Sequence, residues 1–391
     1  MKNYRELLRK EYIFIYFIYF WVFFAIGALD QQIPLYFADR DNGPLIYGVF
    51  LSSLSVASII MPTISSLLAK KFGSKTVTVV YFMTSVIVAA LLFLISNIYV
   101  IAVIFLLINI SQYVFNFSLG SLICFSVGNN EKARFFAVRD IFLYGSIALG
   151  LLISGVLVNK YDIKNIISIF GLFLFIPCIM LFFGKNNKFV AGTMDDDDDD
   201  ESAGLSGIRR AFKNREFRLM LIIYSFLSIY SAVYAYVPFL AIEVGLHYSE
   251  VLNSFAIVTI ANIIIALFLS HLADSTNKKI FFMIDVGFDL IPIFIFIITT
   301  NYYMFIVALV LTALKDVFAP ITFAYKYELF TKDGQLLISL LESITGIFTF
   351  VLPVVVGFLW KQIGKNVFII AFIAVLIATL VAFLLPKKIG E

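Results

Sequence analysis

Charge is scarce in this sequence. Lys, Arg, Asp and Glu together make up 14% of 391 residues, whereas a water-soluble domain uses about 25% to wet its surface. A chain of this length would otherwise suggest two or three soluble domains of roughly 150 residues each. With 61% hydrophobic residues and a mean hydropathy of +0.98, its outer surface is expected to face lipid. Cysteine and histidine are nearly missing, with two of each. Cys124 and Cys178 both lie in apolar stretches, which argues against a disulfide framework or a metal site and leaves packing. His247 and His271 fall at the ends of apolar stretches and read as exposed imidazoles. The net charge of +3 is too small, and its basic clusters too dispersed, for a nucleic-acid partner. There is no Walker loop, no Gly-x-Gly-x-x-Gly turn after a strand and no HExxH, so nothing supports ATP use, an enzyme or a cofactor.

Apolar stretches are what the sequence does have. Crossing ~30 Å of hydrocarbon takes about 20 residues, and twelve stretches qualify. They cover residues 12–37, 44–69, 76–96, 98–127, 136–158 and 163–183, then 217–242, 249–273, 279–299, 301–325, 335–359 and 365–385. The expected fold class is therefore an all-α membrane protein with 12 transmembrane helices. The first stretch is too long for a cleavable signal peptide and lacks a small-residue cleavage site. With the N-terminus inside, the inside segments hold 23 Lys and Arg and the outside loops five. That bias puts both termini in the cytoplasm and the chain, as a multi-pass protein, in the cell membrane. The Ile-, Lys-, Asn- and Phe-rich composition hints at a bacterial source.

One long hydrophilic stretch divides the twelve into six and six. It gives an N-terminal half over residues 1–184, a cytoplasmic linker over 185–216 and a C-terminal half over 217–391. Six consecutive aspartates, Asp195 to Asp200, repel one another and predict a solvated, disordered segment rather than a cation site. Residues Ile208–Arg218 read as a short amphipathic helix on the inner leaflet. An internal repeat supports the division. Ser66–Lys75 aligns with Ser270–Lys279 at an offset of 204, with four identities in ten, and the same offset places Pro34 on Pro238. Two related six-helix halves follow.

Twelve spans, a central loop and a basic loop after spans 2 and 8 resemble the major facilitator superfamily over the whole chain. The family's loop pattern is Gly-x-x-x-Asp-Arg-x-Gly-Arg-Lys. In the first copy here Ser66, Lys70, Lys71, Gly73, Ser74 and Lys75 fall on it, so its Gly and Asp are replaced. In the second copy Asp274 is kept, while Ser275 and Asn277 stand for Arg and Gly. The resemblance implies two pseudo-symmetric halves rocking about a midplane site, with spans 1, 4, 7 and 10 lining the cavity.

Charges inside spans cost about 2.5–3.5 kcal/mol each on insertion scales, so each needs a partner or a purpose. Asp30 lies roughly 12 Å from the outer end of span 1 at 1.5 Å per residue. It sits one turn before Pro34 and is followed by Gln31 and Gln32. An acid there is similar to proton-coupled multidrug antiporters; the alternative is an acid facing an outer vestibule with Asp39 and Asp41. Asn109, Gln112 and Asn116 share one face of span 4 and serve either substrate or the packing of helices. The family's frequent span 4 arginine is absent. In span 10, Lys315 and Asp316 diverge by about 100°. Equal counting from a turn near residue 300 puts Asp285 level with them and Asp289 one turn away. Lys315 is expected to bridge one of these two, leaving Asp316 for the cavity. Asp30 and Asp316 are thus the candidate proton-coupling residues, and Gln31, Asn109, Gln112, Asn116 and Lys315 the candidate cavity residues.

Arg139 and Asp140 open span 5, whose Gly145, Gly150 and Gly155 suit close helix packing. In the resemblance, Lys70 pairs with Asp333, just before span 11, or with Glu342, two turns into it. With Asp140 these latch the cytoplasmic side. The 44 Phe and 20 Tyr are expected mostly at the lipid or its interface. The functional expectation is a secondary transporter, monomeric and lipid-embedded, exporting amphiphilic or cationic small molecules in exchange for protons. The alternatives are a symporter importing a polar metabolite and a non-transporting receptor on the same scaffold.

Overall fold

The computed structural model describes residues 10–120, 132–184, 211–269, 278–315, 322, 325–326, 329–330 and 334–386, and these are helical almost throughout, with no strand among them. The helices are α1 (Lys10–Ile26), α2 (Leu29–Ala38), α3 (Gly43–Phe72), α4 (Ser74–Leu91), α5 (Ile98–Val114), α6 (Lys132–Leu157), α7 (Ile163–Leu172) and α8 (Phe175–Phe183). After the central stretch come α9 (Arg215–Tyr234), α10 (Val237–Glu243), α11 (Tyr248–Leu269), α12 (Lys278–Phe288), α13 (Leu290–Ile298), α14 (Tyr302–Lys315), α15 (Gly334–Ile363) and α16 (Val367–Ala382). A π-helical turn, Phe115–Gly120, extends α5. Backbone groups in hydrocarbon have no water to bond, so helices are the form such apolar runs must take.

Several of the expected spans are broken rods. Span 1 is α1 and α2 about Gly27–Ala28, span 6 is α7 and α8, span 7 is α9 and α10, and span 9 is α12 and α13 about Asp289. Among the described residues nine helical stretches are long and apolar enough to cross a membrane, with shorter apolar helices at Tyr248–Ile264 and Tyr302–Lys315. The acidic run Asp195–Asp200, Cys124 and His271 lie outside the described residues. Of the amphipathic helix expected over 208–218, residues 208–210 lie outside the described residues and 211–213 are helical, but it does not run on to 218. The side chain of Asn214 accepts the backbone N–H of Phe217, an N-cap that starts a new helix. Arg215 to Arg218 are therefore the first turn of span 7.

The described residues cluster into two units. In the first, α1 packs along α6, and α4 lies against α5, α7 and α8. Gly27 has room for nothing larger, since a Cβ there would fall 2.4 Å from Ile147 of α6. A Cβ on Gly155 would fall 2.4 Å from the amide oxygen of Asn253 in α11, whereas Gly145 faces open space. The three glycines of span 5 thus do different things. In the second unit, α9 is flanked by α15 and α16, and α13 packs on α14 and α16. Tyr236 donates to the carbonyl oxygen of Pro353 at 3.0 Å. A Cβ on Gly48 would sit 2.4 Å from that oxygen and 2.7 Å from the Tyr236 hydroxyl.

The sequence repeat has a structural counterpart. Lys75, in the first turn of α4, donates to the carbonyl of Gly184 just past α8, at 3.0 Å. Lys279, 204 residues on and in the first turn of α12, donates to the carbonyl of Phe383 at 3.1 Å and also to that of Leu385, just past α16. Helix C-termini leave carbonyls unpaired, and an ammonium satisfies them while opposing the helix dipole. Aromatic side chains occupy both environments: Phe182, Phe183 and Tyr303 are exposed, whereas Tyr16, Phe105, Tyr236 and Phe296 are fully buried. Edge-to-face ring pairs such as Phe24–Phe173 at 5.3 Å fill the gaps between helices that aliphatic chains fill in soluble cores.

Candidate functional site

Asp30 stands in the first turn of α2, directly after the break at Gly27–Ala28. Pro34, one turn on, has no N–H to give, so the carbonyl of Asp30 loses its helical partner. Leu29, Gln32 and Ile33 around it are buried, Gln31 is half-buried, and Asp30 alone of these is exposed. The burial of Gln32 has a cause: its amide donates to Ser154 of α6 at 2.6 Å, and Ser154 donates in turn to the carbonyl of Gly150. The amide oxygen of Gln32 is buried with no hydrogen-bond partner. Tyr113 of α5, half-buried, is within range of the Asp30 charge. An acid thus opens to unfilled space at a helix break, with a phenol nearby.

The amide stripe of span 4 divides. Asn109 is buried and turns its amide onto the carbonyl of Phe105, 2.9 Å away on its own helix. Gln112 and Asn116 are half-buried. The helix widens into the π turn at Phe115, one residue before Asn116, which turns the residues that follow away from the α-helical register. A hydroxyl pair, Thr78 and Ser118 at 2.7 Å, sits under that turn. At the start of span 5, Arg139 binds its neighbour Asp140 at 2.5 Å and lies 5.5 Å from the ring centre of Tyr19.

The second unit holds a denser set. Asp289, at the α12–α13 break and with no exposed surface, receives Lys315 at 2.6 Å. Lys315 also lies 5.3 Å from the ring centre of Tyr230, whose hydroxyl is within reach of Asp289. The level assignment from equal counting is corrected here. A helical side chain leans toward its own N-terminus, so Lys315 reaches back toward the turn, one turn past Asp285. Asp285 instead receives the hydroxyl of Thr322 at 2.9 Å. Lys326, expected as a loop lysine, is buried; it binds Glu342 at 3.1 Å and lies 5.1 Å from the ring centre of Tyr224.

Lys70 is exposed in the last turn of α3, while Glu342 and Asp140 each hold a partner within their own unit. Asp316, Asp274 and Asp333 lie outside the described residues. His247 is exposed, as expected, and caps α11 through its backbone N–H on Glu250. Among the described residues no group of three His, Cys, Asp or Glu could hold a metal ion. Sequence reasoning missed Tyr113, Tyr224, Tyr230, Thr322 and Lys326. Only the tyrosines carried a signal, as polar tips at intervals inside otherwise aliphatic spans.

The family model of the major facilitator superfamily matches residues 13–297. A variant of the nucleoside transporter NupG superimposes with a TM-score of 0.77 at 13% identity, covering 95% of this chain and 99% of that one. NupG itself gives 0.73 at 15%, covering 96% and 98%. A bacterial homologue of the human lysosomal transporter Spinster, inward-facing and unoccupied, gives 0.68 at 10%, covering 96% and 97%. No curated protein sequence matches the chain. At such identities the likeness is one of fold.

Proposed function

The chain belongs to the major facilitator superfamily and is a membrane transporter of that family, and on that premise we propose that it exports cationic, amphiphilic small molecules in exchange for protons. The observation that carries this reading is Asp30. It is an exposed carboxylate in a run of buried residues, at a helix break that also frees its own carbonyl. A single carboxylate binds a proton or a cation but not both, so proton release favours cation capture and the reverse. Tyr113 beside it supplies the aromatic face that lipophilic cations favour. The two halves rock about this region, and Lys70 acts at the cytoplasmic closure. The protein works as a monomer in a bacterial cell membrane with both termini in the cytoplasm. Lys and Arg on the inner loops support that orientation.

A second reading is import of a polar metabolite with protons. The half-buried amides Gln31, Gln112 and Asn116 favour it, since neutral donors and acceptors suit an uncharged solute. The fold likeness to NupG puts nucleosides among the candidates.

Flux into proteoliposomes under an imposed pH gradient tests both, with tetraphenylphosphonium and uridine as probes. The expected result is pH-driven movement of the cation by the wild type. Asp30→Asn should fold but lose the pH-driven movement of the cation, since it removes the one group that both proton and cation occupy. Movement of uridine alone would favour the second reading, and no movement of either would leave a receptor on a transporter scaffold. An Asp30→Asn protein that still concentrates the cation against its gradient would refute the coupling role.

A further inference from the structure

Two interruptions flank the turn that carries Asp30. The helix breaks at Gly27–Ala28, where the backbone bond from Gln31 to Ala28 is a long 3.4 Å, and Pro34 offers the Asp30 carbonyl no N–H. The direction of that turn is therefore only loosely imposed by α1, and side-chain contacts have to set it. One face of α6 supplies them. Ile147, Gly150 and Ser154 are spaced i, i+3 and i+7, so they share a face. A Cβ on Gly27 would fall 2.4 Å from Ile147, and one on Gly150 would fall 3.0 Å from the Cβ of Ala28. One turn further along α6, Ser154 receives the amide of Gln32 at 2.6 Å. Helix α6 thus lies as a splint across the break, meeting its near side, its middle and its far side. We propose that Gln32 and Ser154 are positioning residues: their bond sets the rotation of α2 and so aims Asp30 into open space.

Residues 30 and 32 point about 200° apart on a helix, so turning Gln32 onto α6 turns Asp30 away from it. Their surroundings agree, since Gln32 has no exposed surface and Asp30 is exposed. Leu29 and Ile33 are buried beside Gln32. Apolar contacts are non-directional and tolerate a small rotation, whereas a short hydrogen bond does not. The polarity of the bond is fixed as well. Ser154 gives its one proton to the carbonyl of Gly150 at 2.7 Å, so it accepts from Gln32. The amide oxygen of Gln32 is left buried with no hydrogen-bond partner, which is destabilising. A leucine would fill the same place without that penalty. Gln32 therefore contributes direction rather than stability, and experiment can separate the two.

The role of this bond in transport rests on the reading of Asp30 as the coupling acid, but the aim of its carboxyl can be observed without a substrate. A water-soluble carbodiimide with glycine ethyl ester converts reachable carboxyl groups of the purified full chain to amides, and mass spectrometry reads Asp30 against the exposed Asp41. The expected result in Gln32→Leu and in Ser154→Ala is labelling of Asp30 that is roughly two- to fivefold slower, the population change one hydrogen bond supports, with Asp41 unchanged. The double variant should be no slower than the singles, because both remove the same bond. The melting temperature of Gln32→Leu should hold, and the midpoint of its pH profile for cation flux should move. Unchanged labelling in both single variants would overturn the proposal, as would a lower melting temperature with labelling kept. Should Gln32→Leu fail to fold, unchanged labelling in Ser154→Ala overturns it equally. Unchanged labelling beside an Asp30→Asn protein that loses its pH drive sinks this inference alone. Slower labelling beside an Asp30→Asn protein that keeps the drive supports the positioning and sinks the coupling role of Asp30 alone.

Discussion

The ammonium of Lys315 lies 2.6 Å from Oδ2 of Asp289, and of the two side chains only the lysine has any exposed surface, 22%. Removing one member of such a pair leaves the other as a lone buried charge, at a cost of about 3–5 kcal/mol. Lys315→Ala should therefore lower the thermal stability of the detergent-solubilised protein by that amount. Lys315→Ala with Asp289→Asn should recover most of it, because neither charge then remains. Recovery by Asp285→Asn instead would mean that Lys315 serves the other acid.

Glycines 145 and 48 make opposite forecasts. A Cβ at Gly145 meets nothing within 4 Å, so Gly145→Ala should stabilise α6 by about 0.5–1 kcal/mol through helix propensity alone. A Cβ at Gly48 would press on the Pro353 carbonyl and the Tyr236 hydroxyl. Neither can move without breaking their mutual hydrogen bond, so Gly48→Ala should cost about 1–3 kcal/mol. Melting temperatures of the two variants, measured side by side, check the sign in each case.

Tyr248, which opens α11, donates a hydrogen bond to Asp39 in the loop after α2. Asp39 is exposed and Tyr248 half-buried, so the bond should contribute only about 1 kcal/mol. That still corresponds to roughly a fivefold change in a local opening equilibrium. Tyr248→Phe should speed amide hydrogen exchange over residues 39–42 by that factor. Unchanged exchange there would show the contact to be energetically silent.

Lys75→Met and Lys279→Met should each destabilise the protein by about 1–3 kcal/mol, the cost of leaving carbonyls that are buried or partly buried without a donor. The Lys279 variant should suffer more, since it abandons two acceptors rather than one. Thermal unfolding of the two single variants gives the comparison. Equal losses would argue that one of the two bonds at Lys279 is redundant.

Much of this architecture was legible before any coordinates. Helix-length apolar runs located the spans, and an offset of 204 paired Lys75 with Lys279 from a ten-residue alignment. The partners inside the spans were less legible, for reasons of geometry. Equal counting assumed straight helices and side chains that project level, so it set Asp285 against Lys315. The backward lean of a lysine selects Asp289 instead. The i, i+3, i+7 arithmetic on Asn109, Gln112 and Asn116 could not show that Asn109 turns its amide onto its own helix, and nothing in the Phe115–Gly120 sequence announces a π turn. Lys326 read as a loop cation because its neighbours are polar, and its burial depends on Tyr224 and Glu342, distant in sequence. The exposure of Asp30 followed a local signal, a proline one turn away, and such signals survive without tertiary knowledge.

The two lysine caps bear on how the chain is made. Lys75 finds its acceptor 109 residues downstream, and Lys279 finds one 106 residues downstream. Each lysine finds its acceptors in its own half of the chain. On a translating ribosome the first six spans therefore have their own seal complete at Gly184, before Arg215 opens the seventh span. The halves can be inserted and proofread one after the other, and a defect at Lys75 would be met early in synthesis and one at Lys279 only late.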